Sequence, residues 1–457
     1  MSQAHEYAQS HAEEFRNEFM ELLRIPSIST DPQFAGEVRR AAEWIAQNMR
    51  SIGLEAELIT MDEGRHPLVL GTWDGAGADA KTVLIYCHYD VQPAVVADGW
   101  DTDPFEPVEK AGQIFGRGAT DSKVHVMAHM KALESLLKTA GKLPVNIKLL
   151  YEGEEESGSE TINAFIEQHP ERLKADVVLI SDGIIRAPEQ PSITYGLRGI
   201  ATLELHVYGA QQDLHSGHFG GSIHNPAQAI AELIAQLHDE DGRVAVPGFY
   251  DDVLRLDVEE RALLAQSNPL MEDEWQAVAN PPKAWGEPDY NLHERIGARP
   301  TLEINGIYGG YAGAGFKTVL PAHALAKMSC RLVVNQDPAR IATLVKGYIE
   351  QIAPDTVRVR VDILETGAPA IVLDRRSAAM QAAFKAYERG WGVPPVYERA
   401  GGSVPITFAM MNITDNIALM GFSYKGGRAH GPNENIYVDM FHKGINTSIY
   451  FLQALGE

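Results

Sequence analysis

The chain has 457 residues, 45% of them hydrophobic and 22% charged, with a formal net charge of -23. That length exceeds one ordinary core and predicts two domains, one inserted into the other. The acidic balance excludes partners that want a basic surface, so neither nucleic acid nor an anionic membrane is an expected ligand, while a small substrate held by a few local cations remains open.

From the start of the chain, Met1 to Glu14 is polar and acidic, without the basic and apolar regions of a signal peptide. No apolar run reaches membrane-spanning length. The two cysteines, Cys87 and Cys330, provide no disulfide framework, and a reducing cytoplasm is expected. Phe15, Phe19, Leu22 and Leu23 recur at helical spacing, and Pro26 stops that helix. A second helix is predicted over Arg39 to Ile52, closed by Gly53. Strands are predicted at Leu54 to Thr60, Leu68 to Trp73 and Thr82 to His88. A helix over Val124 to Ala140, a strand over Val145 to Tyr151, a helix over Thr161 to His169 and a strand over Asp176 to Ser181 follow. This alternation predicts an α/β domain: a mixed, mostly parallel sheet flanked by helices.

The texture changes after Asp182. A half-buried strand is predicted over Ala201 to Val207, then a helix to His238 capped by Asn225 with Pro226 at its first position. The stretch Ala279 to Pro300 reads as an irregular loop. Strands at Leu302 to Ile307 and Leu325 to Val333, a helix over Pro338 to Ile352 and a strand at Val357 to Leu364 suit a two-layer α+β domain. From about Arg375 the αβ pattern resumes and ends in a helix over Met440 to Leu455. The predicted organisation is therefore a discontinuous catalytic domain, residues 1–194 and 366–457, interrupted by an inserted domain, residues 195–365.

Several loops carry candidate chemistry. Leu84-Ile-Tyr-Cys-His-Tyr-Asp90 ends in His88 and Asp90, which face the same way at a strand end. Such a pair is either a satisfied polar strand end or a metal-binding histidine with its carboxylate partner. In Gly116-Arg-Gly-Ala-Thr-Asp-Ser-Lys123, glycines free the backbone before a single carboxylate, which is a helix cap or a functional group. Leu150-Tyr-Glu-Gly-Glu-Glu-Glu-Ser-Gly-Ser159 crowds glutamates at the carboxyl end of a strand, where ligand sites of α/β sheets lie; solvation or cations would relieve them. Asp182 follows the apolar strand Val177 to Ile180, and His430 sits in the loop Ala429-His-Gly-Pro-Asn-Glu434. His88, Asp121, a glutamate of the triplet, Asp182 and His430 thus gather on one predicted edge. Histidine and carboxylate donors without cysteine suit zinc, manganese or cobalt. Two metals sharing one carboxylate need five side chains, and a spare glutamate would act as base toward a metal-bridged water.

His88-Tyr-Asp90, Gly116 to Asp121, Glu155-Glu-Ser-Gly-Ser159, Ser181-Asp182, Asp213-Leu-His-Ser-Gly217 and His430 to Glu434 together resemble the M20 metallopeptidases. The likeness is to the dipeptidase branch, which includes the carnosine and cytosolic nonspecific dipeptidases, and it covers essentially the whole chain. It implies a homodimeric enzyme that hydrolyses dipeptides or short peptides with two divalent metal ions, zinc first and manganese or cobalt as the others. In it, His88 and Asp182 would hold one metal, Glu156 and His430 the other, and Asp121 would bridge both. Asp90 would orient His88, Glu155 would be the general base, and Glu154 would stand outside the site. A cis peptide bond is implied between Asp121 and Ser122. The inserted domain would be a lid and dimerisation domain, with His215 stabilising the oxyanion in the partner subunit's active site. Arg331 would grip the substrate's terminal carboxylate, a task suited to a guanidinium fork, with Gly402 and Ser403 of the Gly401-Gly-Ser403 loop as further substrate contacts. N-acyl amino-acid deacylases and carboxypeptidases of the same family cut an amide beside the same carboxylate and are the neighbouring activities; a non-enzymatic binding protein is disfavoured by the presence of the ligand set and Glu155.

One departure stands out. Relatives usually carry Lys-Gly where this chain has Lys123-Val-His125, which leaves the implied ligands in place and falls on the helix entry and the nearby pocket. His125 and His129 have i, i+4 spacing, but a zincin motif would need glutamate at Val126, so both are expected on a helix surface. Gly310 to Thr318 is a near miss to a phosphate loop: Phe316 separates glycine from lysine and Pro321 would break the required helix, so no nucleotide is expected.

Overall fold

The structure, a computed structural model, describes residues 2–457. The chain forms two compact units: one of Met1–Tyr195, Leu373–Tyr397 and Ile406–Glu457, the other of Gly196–Val372 and Glu398–Pro405.

The first unit is built on a six-stranded sheet, in the order Glu55–Ile59, Leu68–Trp73, Asn146–Glu152, Thr82–His88, Val177–Ser181, Ile417–Met420. The first two pairings are antiparallel, and the remaining three are parallel. The parallel strands are the apolar runs of the sequence, and Val83 to Cys87, Val177 to Ile180 and Ile417 to Met420 are buried. Burial on both faces is why they lack polar alternation. Register aligns His88 with Glu152 and Met420 with Ser181. The loops that follow these strands therefore leave the sheet at one edge, where binding sites of such sheets form.

Helix Lys123–Ala140 has every residue from Lys123 to Leu136 buried, which corrects the expected surface positions of His125 and His129. Neighbouring helices, among them Gln3–Ser10, Ala12–Leu23 and Val438–Gly456, pack around it. Several of its polar residues find partners within the protein, although His129 Nε2 has none. Lys123 Nζ donates to the carbonyls of Leu22 and Ile25 at 3.1 and 2.6 Å, where helix Ala12–Leu23 ends. His129 Nδ1 lies 2.8 Å from Ser448 Oγ.

The second unit is an antiparallel sheet in the order Thr301–Gly309, His323–Leu332, Gly199–Tyr208, Arg358–Thr366. Ala201, Leu203, Leu205 and Val207 point into a core that includes Ile230 and Leu233 of helix Pro226–Ala235 and Ile341, Val345 and Ile349 of helix Pro338–Ile352. Asn225 caps the first helix by accepting from the Ala227 N–H at 2.9 Å, with Pro226 at the first position. Two helices in this unit differ from the expectation. Val258–Val278 is a 21-residue helix with only Leu264, Ser267 and Met271 buried, so it has no continuous apolar stripe for periodicity to detect. Leu292–Gly297 is a short helix inside the stretch read as a loop, started by a capping box between Asn291 and Glu294. The segment Gly310 to Lys317 is exposed and leads into a two-residue strand, Val319–Leu320, rather than a helix. Among the described residues no helix is long and apolar enough to cross a membrane.

Candidate metal centre

His88 ends its strand fully buried, with its two ring nitrogens facing different carboxylates. Nε2 lies 3.1 Å from Asp121 Oδ1 and 3.2 Å from Asp182 Oδ1. Nδ1 lies 3.1 Å from the Asp90 carbonyl oxygen and 3.3 Å from Asp90 Oδ1. The buried Asp90 carboxylate also accepts from Ser29 Oγ at 2.6 Å and from the backbone N–H groups of Glu155 and Glu156 at 3.3 and 3.1 Å. One carboxylate thus ties the His88 ring to the glutamate turn.

The other oxygen of Asp121, Oδ2, lies 3.0 Å from His430 Nε2, which is in turn 3.1 Å from Glu156 Oε1. The result is two groups of potential ligands, His88, Asp121 and Asp182, then Asp121, Glu156 and His430, joined through Asp121. Glu155 belongs to neither group. It lines a cavity of about 160 Å³ together with Asp121, Asp182, His430, Thr120, His125, Ile184 and Ser423. The peptide bond between Asp121 and Ser122 is cis.

The loop that presents Asp121 hangs on Glu434, a buried residue for which the sequence supplied a motif position but no role. Its Oε1 accepts from the Thr120 and Asp121 N–H groups at 2.8 and 2.9 Å. Its Oε2 accepts from the Gly118 N–H at 3.1 Å and from Arg117 Nη1 at 2.6 Å. Arg117 Nη2 also donates to the His430 carbonyl at 3.2 Å, so one ion pair sets both the Asp121 and the His430 loops. Glu154 is likewise a structural group rather than a solvated bystander. It is buried and accepts from the N–H groups of His66 and Thr161 at 2.8 and 2.9 Å. The glutamate triplet is therefore divided among three environments, which relieves the crowding the sequence implied.

Electrostatically the cluster is short of positive charge. Burial opposes a charge on His88, yet Asp182, Asp121 and Asp90 hold its imidazolium well above the usual histidine range. Asp121 and Glu156 lift His430 to about 10. Burial likewise opposes ionisation of Asp121, but His430 and His88 hold its carboxyl below the usual carboxylate range. Burial pushes the Glu155 carboxyl up to about 7; His88 opposes this, and Asp182, Glu156 and Asp90 reinforce it. Divalent cations would meet the same demand for charge, and the geometry suits them. Two atoms bound at about 2.0–2.2 Å to one ion stand roughly 3.0–3.5 Å apart, as the donor pairs here do. Glu156 Oε1 is buried and makes no well-aligned hydrogen bond, its one close polar contact being the ion pair with His430 Nε2 at 3.1 Å, and such an ion would satisfy it.

The sequence profile described as peptidase family M20/M25/M40 matches residues 84–454. The chain belongs to that family. It is 33% identical to the Cys-Gly metallodipeptidase of Schizosaccharomyces pombe, over 97% of this chain and 96% of that protein. Its fold superposes on human carnosine dipeptidase 1 with a TM-score of 0.81 at 29% identity, covering 99% of this chain and 98% of that one. It also superposes on an M20 family metallo-carboxypeptidase of Sulfolobus solfataricus, with a TM-score of 0.80 at 31% identity and coverage of 97% and 99%. The mixed α/β fold and the His/Asp/Glu cluster are those expected of a metallopeptidase of this family.

The remaining residues singled out in the sequence lie in the second unit. His215 is exposed, and its Nδ1 accepts from the Gly217 N–H at 3.0 Å. Arg331 Nη1 lies 3.4 Å from Ser403 Oγ, which donates to the Arg198 carbonyl. Arg198, unmarked in the sequence reading, braces the glycine loop. Its Nε donates to the Gly401 carbonyl at 2.8 Å, and its N–H donates to the Gly402 carbonyl at 3.0 Å. Burial and the neighbouring Arg331 lower its pKa to about 10. An arginine between two strand-like apolar segments gives no such signal in sequence.

Proposed function

We propose that this chain hydrolyses the peptide bond of dipeptides or similarly short peptides, using two divalent metal ions, with zinc the first candidate and manganese or cobalt the others. The observation that carries this reading is the division of the Asp121 carboxylate between two donor groups, with Glu155 free beside them. His88 and Asp182 would hold one ion, Glu156 and His430 the other, and Asp121 both. Such ions supply Lewis-acid charge that polarises a carbonyl and acidifies water. The chain's own residues do the rest. Asp90 fixes the His88 ring and the turn that carries Glu155. Glu155 Oε takes a proton from the attacking water and passes it to the leaving amine nitrogen, a transfer suited to a carboxyl lifted toward neutrality. Arg331, steadied by Ser403 with Gly402 beside it in the loop, is assigned the terminal carboxylate of the substrate.

The likeness to the Sulfolobus carboxypeptidase favours one second reading, removal of C-terminal residues from longer peptides, and deacylation of N-acyl amino acids is a third. A panel of free dipeptides, longer peptides, and N-acetyl and N-succinyl amino acids, run on enzyme reconstituted separately with zinc, manganese and cobalt, separates them. Release of amino acids from dipeptides at a kcat/KM well above that for acylated substrates is expected. Turnover of acylated substrates alone would overturn the dipeptidase reading.

We also infer a homodimer in which the second unit serves as lid and dimerisation domain, and in which the partner's copy of exposed His215 stabilises the oxyanion. Sedimentation at assay concentration should give a dimer, and a fully active monomer would remove that role from His215. The net charge of -23 argues against nucleic-acid partners and anionic membranes. Two buried, unpaired cysteines fit a reducing, cytoplasmic setting.

A further inference from the structure

The geometry points to His125 as a positioning residue that locks the Asp182 loop to the Asp121 loop and so sets the first of the two proposed metal sites. This rests on the two-metal reading above. His125 stands in the first turn of helix Lys123–Ala140, three residues after Ser122 of the cis peptide, and only 1% of it is exposed.

The ring joins three segments. Nδ1 lies 2.8 Å from Ser122 Oγ and 3.2 Å from the Ser122 carbonyl. Nε2 accepts from the Phe422 N–H at 3.0 Å. A backbone N–H can only donate, so Nε2 carries the lone pair and the proton sits on Nδ1, directed at Ser122. The nearby Gly183 carbonyl, 3.2 Å from Nε2, then takes its hydrogen bond from Ser423 Oγ, also at 3.2 Å. Burial lowers the pKa of His125, in keeping with the neutral ring this requires.

Phe422 matters because its segment packs against the one that holds Asp182. Residues Ser423 and Tyr424 pair in parallel with Ile184 and Ile185. The contact is so close that a Cβ on Gly421 would sit 1.6 Å from the Gly183 carbonyl oxygen. Moving Phe422 therefore moves Gly183 and, with it, the carboxylate of Asp182. On the other side, Ser122 is bonded to Asp121. His125 thus spans the two carboxylates that flank His88 Nε2, without a contact to Glu156 or His430.

The test is calorimetric titration of zinc into the metal-stripped full chain, comparing wild type with H125A and H125Q, with thermal unfolding of each metal-free protein as the check on folding. The expected result is two ions in wild type, and in H125A one ion at wild-type affinity with the other weakened about 10–100-fold, the range for residues that orient metal ligands. In H125Q the amide oxygen can accept from the Phe422 N–H, so most of the lost affinity should return. Where alanine prevents folding, H125Q against H125N serves instead, because the shorter amide reaches Ser122 but not Phe422. Two ions bound by H125A as tightly as by wild type, or a glutamine variant no better than alanine or asparagine, would overturn the role of His125 alone. A wild-type chain that binds fewer than two ions would overturn the two-metal reading itself.

Discussion

Glu155→Ala should retain both metal ions and lose about a thousandfold or more in kcat, toward the upper end of what a general acid–base group supplies. The separation of the two effects follows from the geometry. The turn carrying Glu155 is held through its backbone, by the N–H groups of Glu155 and Glu156 on the Asp90 carboxylate. Truncating the Glu155 side chain breaks neither bond, and the side chain belongs to neither ligand group. KM should change little, since binding of the substrate's carboxylate is assigned to Arg331. Glu155→Gln keeps the volume and removes only the basic oxygen, so it should fall to a similar level. Metal analysis and steady-state kinetics on the same samples check this. Wild-type turnover in either variant would take Glu155 out of the mechanism.

The parts of this architecture that sequence periodicity could reach were those buried on one face or on both. The parallel strands appear as uninterrupted apolar runs, and the sheet of the second unit as the alternation of Ala201, Leu203, Leu205 and Val207. Helix Lys123–Ala140 defeats the same logic. Lysines and histidines at such positions suit a solvent face, yet Lys123 is spent on the carbonyls of Leu22 and Ile25 at a helix end, and Lys131 on Glu18 at 2.5 Å. Such partners come from distant parts of the chain, and no local pattern announces them. Helix Val258–Val278 escaped for the opposite reason: too little of it is buried to leave a stripe. In the site, the ligand candidates were legible because each ends a strand or opens a loop, and the family's motifs add their order. The work of Glu154 and Glu434 was not legible. A carboxylate that gathers backbone N–H groups looks, in sequence, like one that binds a cation or faces water. Which it does depends on the loops folded around it.

Asp121→Ala should abolish tight binding at both sites at once, lowering kcat/KM by about 10⁴-fold or more, equivalent to ~5.5 kcal/mol of transition-state stabilisation. No other candidate ligand contributes to both groups, because only Asp121 turns one oxygen to His88 and the other to His430. Asp182→Asn touches only the His88 group and should leave one ion bound, which makes the two variants a test of bridging itself. The loop should survive in both. The Asp121 N–H is held by Glu434 through the backbone, and this bond does not need the side chain. Stability gives a second readout. A ligand that binds only the folded state stabilises it by mass action, so zinc should raise the melting temperature of the wild-type chain and leave that of Asp121→Ala nearly unchanged. Without metal, the variant should be no less stable than wild type by more than about 1–2 kcal/mol. Losing Asp121 relieves carboxylate repulsion around Glu155, Glu156 and Asp182, though it also strips His88 and His430 of a partner. Two ions bound by Asp121→Ala with wild-type affinity would show that the groups are independent sites, and the shared carboxylate would lose its place in the mechanism.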